Sequence, residues 1–327
     1  MLIFIVGESP FEAIKALVNG AFGTLYDAAF SLNRSTPLIL AGLGIAIGIK
    51  GGIFNLGGEG QIAIGGLFTT IVGIYFQMLP PYILIPLCLL AGFLGGGLLG
   101  MIAGYLNAKL NINTIISTLM LNYIGFAIVS LMVKGPLQEP PGIYIQSPKV
   151  GASAILPILI PGTRLHFGFI IALIMAVIIY IVLYRTPFGY ELRIIGKNEK
   201  AAKYAGINIT RTKVLGFLIS GGLCGLAGGV EIIGYQYRLR EAFLPNYGFD
   251  AIAVALLGQL NSFGIILSGV LFGGLRAGAS AMQRAIHLPQ SLASVVQAII
   301  ILFVAGSSAL SYLPKYFAKR SVKNDTE

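Results

Sequence analysis

The sequence predicts an all-α integral membrane protein: a polytopic helical bundle of about 8–9 transmembrane helices, some broken or half-length, with a short helix on the cytoplasmic side. Three observations carry this. Hydrophobic residues make up 56% of the 327-residue chain and charged ones only 10%, with a mean hydropathy of +0.85; a soluble domain carries about 25% charged residues. Eight apolar windows (36–54, 57–79, 82–106, 113–133, 167–184, 212–236, 263–285 and 291–313) approach the roughly 20 residues that cross a hydrocarbon core. A polar island at 185–213 separates two of them, with seven basic residues (Arg185, Arg193, Lys197, Lys200, Lys203, Arg211, Lys213) against Glu191 and Glu199. Short loops rich in Lys and Arg stay on the cytoplasmic side of a membrane.

Residues 1–35 read as an N-terminal interfacial segment. Met1–Val6 is too short to cross a membrane, and 10–30 has helical periodicity with charges at Glu12, Lys15 and Asp27, as expected of a helix lying at the surface. No basic start precedes a clean apolar core, so a cleavable signal peptide is not expected. Residues 36–313 form the transmembrane domain. Its window 82–106 holds Gly92, Gly95, Gly96, Gly97, Gly100 and Gly104, and small residues at three- and four-residue spacing let helices approach closely in lipid. The Pro-rich segment 134–166 carries three basic residues, fewer than the island, and falls outside.

The centre of the island, 198–206, reads as a short helix with Asn198 as N-cap and Gly206 as C-terminal stop. Ala201, Ala202 and Ala205 give it a flat, small-residue face on which a cytoplasmic partner can dock. The run 250–260 is too brief to span and reads as a half-helix that returns the chain to the cytoplasmic side before residue 263. The tail 314–327, with Lys315, Lys319, Arg320 and Lys323, then lies inside.

Several functions are excluded. The net charge of +10 sits at the ends of apolar runs, which fits membrane orientation and not nucleic acid. Cys88 and Cys224 lie within apolar runs, and His166 and His287 stand alone at span ends, so neither a disulfide nor a metal site is expected. There is no G-x-x-x-x-G-K-[ST] phosphate loop, so the chain itself should not hydrolyse ATP, and no catalytic Ser/His/Asp, Cys/His or H-E-x-x-H set marks it as an enzyme.

The polar chemistry concentrates in residues 50–61, Lys-Gly-Gly-Ile-Phe-Asn-Leu-Gly-Gly-Glu-Gly-Gln, where five glycines in twelve residues favour a broken helix. Two readings stay open. In one, the segment lies at membrane depth, and Glu59 marks a pathway or a partner; in the other it is a cytoplasmic turn with Lys50 and Glu59 in water. Residues 246–264 echo it, with a lone acid at Asp250 and a short apolar piece before a long span. Paired interrupted segments in a transporter point to its substrate route. Asn122 and Tyr123 add polar groups to the 113–133 run, and Glu231 and Arg276 are further charges, most simply read as satisfied structural pairs.

Three stretches carry a resemblance: residues 36–66 with the core G-x-F-N-x-G-x-E-G-Q, TLMLNYI at 118–124, and GYELRIIGKNEKAAKYAGI at 189–207 followed by ISGGLCGLAGGVEIIG at 219–234. The run GFDAIAVALLG at 248–258 also fits. Over residues 8–317 the chain resembles permease subunits of ABC importers in the branched-chain amino acid, ribose and nucleoside permease superfamily, and most of all its nucleoside or simple-sugar branch. The resemblance implies a multi-pass protein of a prokaryotic plasma (inner) membrane, with a full helix ahead of residues 8–30 of which Met1–Val6 would be the remnant. It implies that the island holds a coupling helix for a separate ATPase subunit, with Gly196, Lys197, Asn198, Ala201, Ala202, Gly206 and Ile207 at the docking motif. ATP and Mg would then belong to that partner, with no cofactor on this chain. A second permease subunit, homologous or identical, and an extracytoplasmic substrate-binding lipoprotein would complete the assembly in the lipid bilayer.

A nucleoside or sugar calls for amides, carbonyls, hydroxyls and an aromatic surface. Asn55, Glu59, Gln61, Asn122, Tyr123 and Asp250 are the expected pathway residues. Two alternatives are a branched-chain amino acid ABC permease and an ion-coupled secondary transporter in which Glu59, Asp250 and Glu231 line a proton or sodium route.

Overall fold

The computed structural model describes residues 10–286 together with positions 295 and 298. The rest of the expected window 291–313, the tail 314–327, His287 and Met1–Val6 lie outside the described residues. Helices follow in the order α1 (Pro10–Phe22), α2 (Leu25–Lys50), α3 (Gly58–Tyr75), α4 (Pro81–Leu110), α5 (Thr114–Lys134), α6 (Gly168–Arg185), α7 (Pro187–Lys197), α8 (Glu199–Tyr204), α9 (Ile209–Glu231), α10 (Tyr247–Leu257) and α11 (Ser262–Ile286). A turn of 3-10 helix, Ala152–Ala154, precedes α6, and a π-helical turn, Ile232–Gln236, extends α9. Among the described residues, β pairing amounts to two isolated bridges, Gln146 with Arg240 and Ile158 with His166.

Among the described residues, six helices (α2, α4, α5, α6, α9 with its π-helical turn, and α11) are long and apolar enough to cross a membrane by length and composition. The helix in the 57–79 window, α3, opens on Glu59 and Gln61 and falls short of that measure. Residues 10–30 divide at Gly23. Thr24 caps a new helix by accepting the Asp27 N–H, so α2 begins at Leu25, well ahead of the apolar window at 36. Polarity hid this start: Ser31, Asn33 and Ser35 are buried within the bundle, and Ser31 Oγ donates to the Ala21 carbonyl at 2.6 Å. The preceding helix α1 lies against α11, with Leu17 at Gly278 and Gly20 at Ala281.

The bundle is centred on α2 and α9, whose apolar windows are 83% and 89% buried, while α5 and α6 are peripheral at 33% and 28%. Glycine makes the centre possible. Gly92, Gly96 and Gly100 of α4 recur every four residues and meet Gly221 and Gly225 of α9 backbone to backbone. A Cβ at Gly96 would sit 2.4 Å from the Gly221 carbonyl oxygen, and one at Gly225 would sit 2.2 Å from that of Gly92. In lipid no hydrophobic gain drives helices together, so such close contact supplies much of the association.

The 18 residues of α6 rise about 27 Å, and its ends carry the segment 135–167 and the α7–α8 pair respectively. The α7–α8 end carries the basic island that the charge rule expects on the cytoplasmic side. Segment 135–167 folds back over the opposite ends of α3 and α9. Gly151 N–H bonds the Gly73 carbonyl at 2.9 Å, Leu156 N–H that of Ile233 at 3.0 Å, and Ser147 N–H that of Leu239 at 2.9 Å. Arg238 pairs with Glu139, and Lys134 with Glu241 at 2.9 Å. Hydrogen bonds from Arg238 and Gln146 hold the Glu139 carboxyl below the usual carboxylate range. From this side residues 237–246 dip inward to the start of α10. This half-helix ends on the same side as the α7–α8 pair, where Phe263 packs 5.4 Å from Tyr180 near the end of α6.

Candidate functional site: two helix ends crossing inside the bundle

Helix α2 ends at Lys50 and helical structure resumes only at Gly58. The intervening backbone turns at Gly52, which has φ +70°, and its polar groups are satisfied by side chains. Asn55 Nδ2 donates to Gln61 Oε1 at 2.9 Å and to Ser220 Oγ at 3.0 Å, while its Oδ1 accepts the Gly57 N–H at 2.9 Å. Asn122 clamps the other side: its Nδ2 donates to the Leu56 carbonyl and its Oδ1 accepts the Gly60 N–H, both at 2.8 Å. Leu56 N–H reaches Thr118 Oγ1 at 3.2 Å. Asn55, Gln61 and Asn122 are 2%, 1% and 3% exposed and Glu59 6%, so Glu59 does not stand in water, while Gly52 and Phe54 at the start of the segment are exposed. Non-helical backbone is tolerated at membrane depth when protein buries and satisfies it in this way.

The N-terminus of α10 crosses that of α3 at this point. A Cβ at Gly248 would lie 2.4 Å from the Glu59 backbone nitrogen, and one at Gly58 would lie 3.3 Å from Gly248 Cα. The Glu59 carboxylate caps α10 from the neighbouring helix: Oε1 accepts Gly248 N–H at 2.9 Å and Phe249 N–H at 3.4 Å. A negative group there complements the positive end of the helix dipole. One turn on, Asp250 Oδ2 takes two bonds from Arg276, from Nε at 2.9 Å and Nη2 at 2.6 Å, and the guanidinium lies 3.9 Å from the centre of the Tyr247 ring. Glu231 is paired as well, with Arg34 at 3.7 Å and with Gln236 Nε2 at 3.2 Å. The structure thus brings Asn55, Glu59, Gln61, Asn122 and Asp250 together. Tyr123 is 67% exposed on α5 and stands apart from them.

A cavity of about 540 Å³ opens beside Glu59. Its walls are Ile62 and Ala63 of α3, Phe126, Val129 and Ser130 of α5, and the inward-dipping residues Glu241 to Asn246 with Phe249. Ser130 and Lys134 hold the Glu241 carboxyl, at the outer rim, below its usual range.

The cytoplasmic island contains two helices. The short helix is α8, where Asn198 Oδ1 accepts the Ala201 N–H at 3.1 Å and Gly206 turns the chain at φ +77°. Lys197, Asn198, Ala201 and Gly206 are exposed, Ile207 is half-buried, and Ala202 is fully buried. The small-residue face is therefore divided, and the most exposed large residue on α8 is Tyr204, at 93%. Periodicity did not reveal α7, because a polar, basic stretch hides its three buried positions, Gly189, Leu192 and Ile195. Through α7 the island touches the broken segment: a Cβ at Gly196 would sit 2.1 Å from the Lys50 carbonyl oxygen and 2.8 Å from the Gly52 nitrogen. Lys50 Nζ bonds the Tyr184 hydroxyl beside this joint.

Sequence reasoning missed Ser220, Thr118, Phe126 and Phe249. A serine before a glycine pair in an apolar helix was a faint signal for Ser220. The phenylalanines gave none, since an apolar run conceals which ring faces a cavity.

A helical membrane protein with two interrupted segments meeting inside the bundle and a cavity at their crossing is a transport subunit. The chain belongs to the branched-chain amino acid transport system / permease component family, whose model matches residues 28–305. It is 36% identical to the guanosine ABC transporter permease protein NupP of Bacillus subtilis over 96% of this chain and 90% of that one. It is also 36% identical to a glucose ABC transporter permease protein of Haloferax volcanii, over 84% of this chain and 75% of that one. Identity to the nucleoside ABC transporter permease protein NupB of Lactococcus lactis is 34%, over 93% and 85% of the two chains. No solved structure matches this chain.

Proposed function

We propose that this chain is the membrane-embedded permease subunit of an ABC importer for nucleosides or simple sugars. The observation that carries this is the 36% identity over 96% of its length to a guanosine permease, with a glucose permease equally similar over 84%. It is a multi-pass plasma-membrane translocation subunit and not an enzyme. ATP and Mg bind a separate ATPase subunit. A second permease chain and an extracytoplasmic binding lipoprotein complete the importer. Helix α8 with Gly196, Lys197, Asn198, Ala201, Ala202, Gly206 and Ile207 is the coupling element, and Gly196 passes its movement to the turn at Lys50–Gly52. Glu59 faces the substrate path and Tyr123 flanks it on α5. Asn55, Gln61, Asn122 and Asp250 keep the broken segments in register around the path.

Uptake of radiolabelled guanosine and glucose by cells expressing or lacking this chain tests the proposal. An importer continues to accumulate substrate when an ionophore collapses ion gradients while ATP is maintained. Uptake that stops with the gradient moves the protein to ion-coupled transport. Co-purification from detergent of an ATPase subunit and a second permease is the expected companion result.

A further inference from the structure

We propose that the cavity beside Glu59 is a nucleobase-binding site, with the base inside and its ribose at the outer rim; this rests on the importer reading above. At about 540 Å³ the cavity is of ordinary small-molecule size. Its polar groups stand at two ends. Glu59 lies at the inner end with Asn246 beside it, two residues before the Gly248 that Glu59 caps, while Ser130 and Glu241 stand together at the other end. Asn122 bonds the residue next to Glu59, and the eight-residue step along α5 from Asn122 to Ser130 rises about 12 Å, the length of a base with its sugar. Between the two ends the wall is apolar and includes the Phe126 and Phe249 rings, 39% and 45% exposed.

This pattern separates a nucleoside from a hexose. A hexose carries hydroxyls around its whole circumference and would leave several unpaired against the apolar middle, where each unpaired polar group is costly. A nucleobase has two apolar faces, suited to phenyl rings, and gathers its donors on one edge. Glu59 supplies the acceptor for that edge. Its Oε1 is committed to Gly248 and Phe249, while Oε2 takes no hydrogen bond among the described residues. The favoured ligands are nucleosides with an N–H on the pairing edge, such as guanosine and inosine, and the ribose hydroxyls meet Ser130 and Glu241.

Glu59→Gln provides the test. The glutamine carbonyl keeps the cap on α10, so the fold is held, and only the free oxygen is replaced by an amide donor. Cells expressing the chain with its partners are assayed for ATP-dependent uptake of inosine, 1-methylinosine and glucose. The wild type should prefer inosine over the methylated analogue about tenfold or more, as for a hydrogen bond to a charged group. Glu59→Gln should erase most of that preference, and Phe126→Ala should weaken inosine uptake severalfold. The binding lipoprotein is common to every variant, so a changed ratio belongs to this chain. An unchanged ratio in Glu59→Gln together with wild-type uptake in Phe126→Ala overturns the site while the importer stands. Uptake of glucose but of neither nucleoside overturns the base assignment and again leaves the importer standing. Loss of ATP-dependent uptake of all three in the wild type overturns both.

Discussion

Replacement of Gly196 by alanine is the sharpest probe of how the cytoplasmic helices act on the membrane interior. The new Cβ would lie 2.1 Å from the Lys50 carbonyl oxygen, more than 1 Å short of ordinary van der Waals contact, and 2.8 Å from the Gly52 nitrogen. Both obstacles are backbone, so no side chain can swing aside, and either α7 or the turn at Lys50–Gly52 must move. Overpacking of this kind costs about 1–3 kcal/mol. If that energy falls on the link between docking and the broken segment, coupling weakens by about 5- to 150-fold. The assay is substrate uptake and ATP hydrolysis by the purified complex, compared with Gly162→Ala. Gly162 lies outside the coupling element and has φ +80° and open space around its Cβ position, so alanine there introduces backbone strain alone. The Gly196→Ala complex should assemble and hydrolyse ATP with little transport, while Gly162→Ala stays near wild type. Wild-type uptake per ATP in Gly196→Ala would refute the mechanical joint.

Other consequences follow from the same packing. Asp250→Ala leaves the Arg276 guanidinium without its carboxylate inside the bundle and should destabilise the detergent-solubilised protein by about 3–5 kcal/mol; the Asp250→Leu, Arg276→Met double variant should recover much of its thermal stability. Gly225→Leu thrusts a branched side chain into the Gly92 and Gly96 backbone and should abolish folding, read as loss of a monodisperse gel-filtration peak; a normal peak would show that α4 and α9 are not held by that contact. The Glu139 pKa is depressed in the folded state, so its contribution is present at neutral pH and fades as pH falls through its folded value. Protection factors in segment 135–167, which are corrected for the intrinsic slowing of amide exchange in acid, should therefore fall as the pH is lowered, and Glu139→Gln should remove that pH dependence.

Much of the architecture was legible before any coordinate. Apolar windows of the right length marked six of the crossing helices, because a hydrocarbon solvent demands continuous apolar surface whatever the packing. Asn198 and Gly206 announced α8, since N-capping and a left-handed stop are local properties. The Gly92, Gly96 and Gly100 spacing announced close packing but did not name its partner; α9 was found only in three dimensions. The start of α2 escaped because Ser31, Asn33 and Ser35 look like a loop until neighbouring helices cover them.

The sequence by itself determined the membrane class and marked residues 50–61 and 246–264 as places where helices break, both of which depend on composition and local spacing. Only the tertiary structure decided that those segments cross at Gly58 and Gly248, that Glu59 caps a helix 189 residues away, and that α7 touches the turn after α2. It also decided which side chains are scaffold and which face a cavity. A hydrogen bond from Asn55 to Ser220 and a phenyl ring at Phe126 look alike in a string of residues. Their roles differ because folding brings distant atoms within bonding distance of one and leaves open space beside the other.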